Sequence, residues 1–204
     1  MLDLLRAWLF PPACVACDAP GPALCAKCSP TLRDAIDFEI DGIPAFALGA
    51  YEGALRHAVV ALKRGERDPL DVLGALLADR APVIGAVVPL PTSRGRSAGR
   101  GFDQSVELAR RLARCRELPY AELLRKRGAP QDGRSRLARL RAAGRFRLDA
   151  NAPAPPLVTL VDDVCTTGAT ARDALQTLAT AGVAVRRLVF VARTAPDRRR
   201  GAEP

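Results

Sequence analysis

Two adjacent acids and a run of small, hydroxylated residues follow one apolar stretch of the chain. The acids are Asp162 and Asp163, and the run is Thr166-Thr167-Gly168-Ala169-Thr170. Backbone N–H groups and hydroxyls of such a run can close on a phosphate, and carboxylates can hold sugar hydroxyls or a divalent metal. The spacing therefore predicts a site for a phosphorylated ligand. A plain turn followed by a helix N-cap is the alternative interpretation.

A strand before the acids and a helix after the loop must position these residues. Leu157 to Val161 is a short apolar run, typical of a buried strand that ends at the acids. From Ala171 to Gly182, apolar residues recur about every 3.6 positions, which predicts an amphipathic helix. This order places the acids at the carboxyl edge of a sheet, where open α/β folds bind ligands.

The segment Val161-Asp162-Asp163-Val164-Cys165-Thr166-Thr167-Gly168-Ala169-Thr170 resembles the phosphoribosyl pyrophosphate signature of type I phosphoribosyltransferases. The resemblance implies an α/β fold with a Rossmann-like parallel sheet flanked by helices. It also implies that Asp162 and Asp163 hold ribose hydroxyls and that Thr166, Thr167, Gly168, Ala169 and Thr170 wrap the 5′-phosphate.

Four cysteines lie close together near the start of the chain. They form two Cys-x-x-Cys pairs, Cys14 with Cys17 and Cys25 with Cys28. Four thiolates complete the closed shell of a structural zinc ion, and no fifth position is left for catalysis. The spacing predicts a small zinc ribbon that depends on the metal to fold. A pair of disulfides and a redox Cys-x-x-Cys are the alternatives, but no export signal or thioredoxin-like context supports them.

Arginines are concentrated in two stretches that could contact a second anionic group. The turn from Ser93 to Gly101 combines Arg94 and Arg96 with glycines, which suits a pyrophosphate or the phosphates of a nucleic acid. The stretch from Arg125 to Arg147 has hardly any acidic balance, and such a segment suits a lid over an anionic substrate. Its candidate lid residues are Gln131, Arg134, Arg136 and Arg139.

The charge balance of the chain favours an anionic partner. Its 204 residues carry 31 basic and 22 acidic side chains, a net charge of +9. No apolar run approaches the roughly 20 residues of a membrane helix, and Met1 to Phe10 lacks a cleavage site typical of a signal peptide. These features predict a protein without a membrane span, located in the cytoplasm, whose oligomeric state the sequence leaves open.

The chain divides into three parts. Residues 1–43 carry a short amphipathic helix and the zinc ribbon, residues 44–195 form a phosphoribosyltransferase-like domain, and residues 196–204 form a disordered tail. Acidic residues and Asp41-Gly42 before the boundary predict a linker or a short hairpin. Apolar periodicity within the larger part predicts helices over 53–64, 69–80 and 102–115, and strands over 45–51, 84–90, 120–124 and 183–192.

Several motifs together resemble the ComF family, over nearly the whole chain. Besides the cysteines and the Asp-Asp loop, they are Leu62-Lys63-Arg64-Gly65, Val88-Pro89-Leu90-Pro91, Arg100-Gly101-Phe102-Asp103-Gln104 and the stretch from Gln131 to Arg141. The family is associated with DNA uptake in natural transformation. The resemblance implies a phosphoribosyltransferase-like domain with a zinc ribbon, and it does not imply that the domain is an active transferase.

Two functions of different classes follow from these patterns. In the first, the chain is a phosphoribosyltransferase in which the acids, the loop and Arg94 and Arg96 hold phosphoribosyl pyrophosphate with magnesium. In the second, it is a non-catalytic adaptor whose basic residues contact single-stranded DNA or a helicase of DNA uptake. A haloacid-dehalogenase-like phosphatase is disfavoured, because that chemistry requires acids two positions apart. The sequence identifies neither a catalytic residue nor the acceptor.

Overall fold

The computed structural model describes residues 12–30, 34–92, 99, 101–126, 144–152 and 154–195. Seven strands and four helices occur in this part of the chain. In order they are β1 (Ile36–Ile40), β2 (Ile43–Ala47), α1 (Gly53–Arg64), α2 (Pro69–Arg80), β3 (Ala86–Pro89), α3 (Gln104–Cys115), β4 (Leu124–Lys126), β5 (Phe146–Leu148), β6 (Leu157–Cys165), α4 (Ala169–Ala179) and β7 (Ala184–Arg193).

Five strands form one mixed sheet in the order β1-β2-β7-β6-β3. Strands β2, β7, β6 and β3 run parallel, and β1 pairs antiparallel with β2 at the edge. The two-residue turn Asp41-Gly42 joins β1 to β2, and both of its residues have positive φ, as a tight hairpin requires. The hairpin alternative for this segment is therefore the one that forms, and it adds Ile36–Ile40 to the sheet.

Helices cover both faces of the sheet, which confirms the predicted α/β class. Leu55 of α1, Leu70 of α2 and Leu108 of α3 belong to the core on one face. Leu178 of α4 and Phe146 of the small two-stranded β4–β5 sheet belong to the core on the other face. Helices α3 and α4, before and after β6 in the chain, thus pack on opposite faces, and open α/β sheets bind ligands at the carboxyl ends of strands where the helices change face in this way.

The helix predictions for residues 53–64 and 69–80 agree with the observed bounds of α1 and α2. The prediction that the strand ends at the acids is wrong, because β6 runs on to Cys165. Its pairing with β7 continues from Asp162, opposite Phe190, to Cys165, opposite Arg193. The acids are therefore fixed by a strand ladder. Among the described residues, no helix has the length and apolar character needed to cross a membrane.

Candidate functional site

The Asp162 carboxylate is held by two donors at the carboxyl end of β6. The hydroxyl of Ser105, in the first turn of α3, donates to Asp162 Oδ1 at 2.6 Å, and the backbone N–H of Asp163 donates to the same oxygen at 2.8 Å. Burial, followed by the charge of Asp163, raises the pKa of Asp162 well above its usual range. This carboxyl group is therefore pre-oriented in an environment that disfavours its charge.

Asp163 is paired with a cation of α1. Its Oδ1 accepts a hydrogen bond from the N–H of Val164 at 2.7 Å, and its Oδ2 lies 3.6 Å from Nζ of Lys63. The same ammonium lies 5.7 Å from the centroid of the Tyr51 ring. The sequence places Lys63 in one of the ComF-like motifs, near the end of a predicted helix, but predicts no contact between Lys63 and the acids. The structure brings it to the acids.

Asp103 connects the end of β3 to the start of α3. Its carboxylate accepts hydrogen bonds from the N–H groups of Thr92 at 2.6 Å and Ser105 at 3.1 Å, so it caps the helix. Burial raises the pKa of Asp103, although these N–H donors oppose the shift. The cap fixes the backbone of Ser105, whose hydroxyl in turn fixes Asp162.

The predicted phosphate loop, Thr166 to Thr170, is a three-residue turn after β6 followed by the first two residues of α4, because the helix already begins at Ala169. Thr166 and Thr167 are exposed, and Gly168 has a φ of 74° immediately before the helix. No side chain caps α4 at Gly168, so the first N–H groups of the helix face the loop with the positive end of its dipole. Thr167 Oγ1 accepts from one of them, the N–H of Ala169, at 3.3 Å. The loop thus has the donors that an anion needs.

Two arginines that the sequence does not single out lie beside this loop. Arg145 donates through Nη1 to Thr170 Oγ1 at 3.2 Å, and Arg172 donates through Nη1 to the carbonyl of Thr167 at 2.8 Å. Arg172 also pairs with Asp41 at 3.0 Å. Both guanidinium groups add positive charge next to the loop. Arg172 could have been found from its position in the first turn of the predicted helix, whereas Arg145 is one of many arginines in its stretch.

The predicted pyrophosphate and lid residues lie outside the described residues. They are Arg94, Arg96, Gln131, Arg134, Arg136 and Arg139. The amphipathic segment at the start of the chain and the tail over 196–204 also lie outside them.

The four N-terminal cysteines come together in space. The Sγ atoms of Cys14, Cys17, Cys25 and Cys28 all lie within 4.8 Å of one another, and those of Cys17 and Cys25 are 3.7 Å apart. A tetrahedral zinc ion with Zn–S bonds of about 2.3 Å requires S···S separations of about 3.8 Å. The arrangement therefore fits the predicted metal, and all four ligands would be sulfur.

Two turns shape this cysteine cluster, and a short apolar contact fixes it on the domain. The N–H of Asp18 donates to the carbonyl of Cys14, and the N–H of Ser29 donates to the carbonyl of Cys25, both at 2.8 Å. Between the turns, Leu24 is buried in the same core as α1, α2 and α3. The cluster is thus packed against the domain, which suits a structural metal.

The comparisons with known proteins give similarity of fold only. No family model and no curated protein matches the chain. Similar solved structures include an orotate phosphoribosyltransferase from Aeropyrum pernix, at 17% identity over 79% of this chain and 77% of that one, with a TM-score of 0.43. An adenine phosphoribosyltransferase from Leishmania donovani is 15% identical over 78% of this chain and 75% of that one, with a TM-score of 0.43.

A third similar structure is the allosteric regulatory enzyme of purine biosynthesis. It is 20% identical over 78% of this chain, with a TM-score of 0.41, and the chain spans 28% of its length. These similarities are too weak to decide a ligand or an activity.

Proposed function

We propose that this protein binds a phosphoribosyl pyrophosphate-type ligand at the carboxyl end of β6. One observation carries the proposal: a single strand–loop–helix unit presents Asp162 and Asp163 next to a loop that ends in the left-handed Gly168. The loop suits a phosphate and the acids suit the hydroxyls of the attached sugar. Both groups lie at the carboxyl end of β6, where the flanking helices change face.

The arginines beside the loop support this placement. Arg145 and Arg172 each bond to the phosphate loop itself, so a phosphate there would meet positive charge as well as backbone donors. Arg145 is also the second described residue after the proposed lid segment. The lid residues Arg134 and Arg136 remain part of the proposal on the strength of the sequence.

The remaining parts of the ligand define the rest of the proposal. Arg94 and Arg96 would take the pyrophosphate, and magnesium, when bound, would neutralise it. The protein's own groups would orient the ribose through Asp162 and exclude water through the lid. Transfer of the phosphoribosyl group to an acceptor is the further step of this proposal, with the acceptor unassigned.

Isothermal titration with phosphoribosyl pyrophosphate, with and without magnesium, tests the proposal. We expect magnesium-dependent binding that Asp163→Ala abolishes. Asp71→Ala is the matched control, because Asp71 is a carboxylate 82% exposed that pairs with Arg111 on the surface of α2 and α3. Absence of heat at millimolar ligand for the unchanged protein would contradict the proposal.

The cellular role that we propose is DNA uptake in natural transformation, within the cytoplasm. The net charge of +9 supports an adaptor function as the second candidate, in which single-stranded DNA or a helicase is the partner. Fluorescence anisotropy with a labelled oligonucleotide separates the two. An adaptor should bind with a steep salt dependence that weakens when Arg134, Arg136 and Arg139 are neutralised, whereas unchanged binding in that variant would count against it.

The cysteine cluster would be a structural zinc centre in this scheme. Its four ligands leave no open coordination position, and its contact through Leu24 places it on the face of α1, α2 and α3. The division of the chain into residues 1–43, 44–195 and 196–204 stays part of the proposal.

A further inference from the structure

Lys63 is held where a cation bound to Asp163 would otherwise lie. Its Nζ is 3.6 Å from Asp163 Oδ2, while Asp163 Oδ1 is engaged by the N–H of Val164. Both carboxylate oxygens therefore have partners inside the protein. A metal ion that approaches Oδ2 must displace the ammonium or tolerate a positive charge beside it.

The end of α1 fixes the position of Lys63. Leu62, the preceding residue, is fully buried, and the helix stops at Gly65, whose N–H donates to the carbonyl of Leu62 at 3.1 Å. The Lys63 side chain extends from this anchored turn to the acids, and its ammonium lies 5.7 Å from the centroid of the Tyr51 ring. Tyr51 is itself held, because its N–H donates to the carbonyl of Arg193 at 2.7 Å.

The ion pair is only partly shielded, so it can open. The side chain of Asp163 is 17% exposed and that of Lys63 is 38% exposed. An ion pair that is partly exposed to water contributes little free energy, so Lys63 can exchange it for a stronger interaction with a ligand. A diphosphate offers Lys63 several charged oxygens in place of one. Once Lys63 had moved to the diphosphate, Asp163 Oδ2 would be free.

We infer that Lys63 is a specificity-determining residue, which blocks Asp163 against free divalent metal and releases it when an anionic, phosphate-bearing ligand arrives. This inference rests on the proposed function for the identity of that ligand. The metal would then enter with the anion, as a neutralised complex. Without the anion, the ammonium and the metal ion would repel each other across a few ångströms.

Binding of Mn²⁺ alone, followed by electron paramagnetic resonance on the full, zinc-loaded protein, tests the inference. We expect weak binding to the unchanged protein and an affinity roughly tenfold higher in Lys63→Met, since one nearby positive charge is removed at a partly exposed site. Lys63→Gln is the second neutral variant if Lys63→Met does not fold. Arg64→Met is the matched control, because Arg64 is the exposed cation that follows Lys63 in the same helix turn.

The site of the added affinity is checked by Lys63→Met combined with Asp163→Asn, which should return Mn²⁺ binding to the weak level. Equal Mn²⁺ affinity in the unchanged protein, the Lys63 variants and Arg64→Met would overturn the inference. This measurement contains no phosphoribosyl ligand. Failure of phosphoribosyl pyrophosphate to bind would therefore refute the proposed function alone. Equal Mn²⁺ affinity with and without the Lys63 ammonium would refute only the inference that Lys63 keeps metal away from Asp163.

Discussion

Ser105 Oγ donates a hydrogen bond of 2.6 Å to Asp162 Oδ1, and this contact joins α3 to the acid pair of β6. The two residues are 57 positions apart in the chain. Ser105 is buried, although serine is usually a surface residue. Its hydroxyl links the cap at Asp103 to the carboxylate that would receive the sugar.

Replacement of this serine tests the link. Ser105→Ala leaves a partly buried carboxylate without its hydroxyl donor, so the free energy of unfolding should fall by about 1–3 kcal/mol. Ligand affinity should fall as well, because Asp162 loses its orientation. Urea denaturation measures the first effect and titration the second. Thr180→Ala removes an exposed hydroxyl that donates to the carbonyl of Thr177, and it should change stability by less than about 0.5 kcal/mol.

The raised pKa of Asp162 predicts a dependence of stability on pH. An acid whose pKa rises on folding binds more protons in the folded chain, so the free energy of unfolding decreases as pH rises from the usual aspartate pKa to the raised value. Asp162→Asn removes this cost. It should flatten the decrease, raise stability at neutral pH and abolish ligand binding. Thermal denaturation between pH 4 and 8 measures the difference.

Asp149 provides a control of opposite sign. The N–H of Asn151 and then the guanidinium of Arg125 lower the pKa of Asp149. Its contribution to stability is therefore present above the usual aspartate pKa and is lost as pH falls through the lowered value. Asp149→Asn should destabilise the protein at neutral pH. If Asp162→Asn and Asp149→Asn change the free energy of unfolding at neutral pH in the same direction, burial of Asp162 does not explain the pH dependence of stability.

How much of this site could be predicted from the sequence depended on distance along the chain. The acids, the loop and the cysteines are contiguous or closely spaced, so their chemistry follows from local order. Lys63 and Ser105 reach the acids only through packing of α1 and α3 on the sheet, which local patterns do not encode. Similarly, Gly65 marks the end of α1 and Pro69 the start of α2 in the sequence. The extension of β6 to Cys165, in contrast, depends on its partner strand β7.

The conformation of Gly168 predicts a loss of both stability and ligand binding on substitution. Its φ of 74° is left-handed, and an added Cβ would lie 3.3 Å from Cδ1 of Ile40. Gly168→Ala should therefore cost about 1–2 kcal/mol from the backbone, with a further shift of the loop. Gly182→Ala shares the backbone cost at a φ of 71° but meets nothing within 4 Å. Titration should show weaker ligand binding for Gly168→Ala only. Equal ligand affinity in the two variants would mean that Gly168 is not part of the phosphate site.

The cysteine cluster predicts one zinc ion per chain and a stability that depends on it. Cys28→Ser should lower the zinc content measured by mass spectrometry and reduce the melting temperature by at least about 5 °C, or about 2 kcal/mol for a chain of this size. Because Leu24 packs in the core of the domain, loss of the metal site would also weaken the packing of that core. Cys115→Ser is the control, since Cys115 is an exposed cysteine on α3. Full stability of metal-free protein would contradict a structural zinc centre.

A crystal structure with phosphoribosyl pyrophosphate and magnesium shows directly whether the ligand occupies the proposed site. We expect the 5′-phosphate within the segment from Thr166 to Thr170, the ribose hydroxyls against Asp162 and Asp163, and Lys63 moved from Asp163 towards a phosphate oxygen. A ligand bound elsewhere on the molecule, or an Asp163–Lys63 pair that persists beside an empty loop at saturating ligand, would contradict the proposed site.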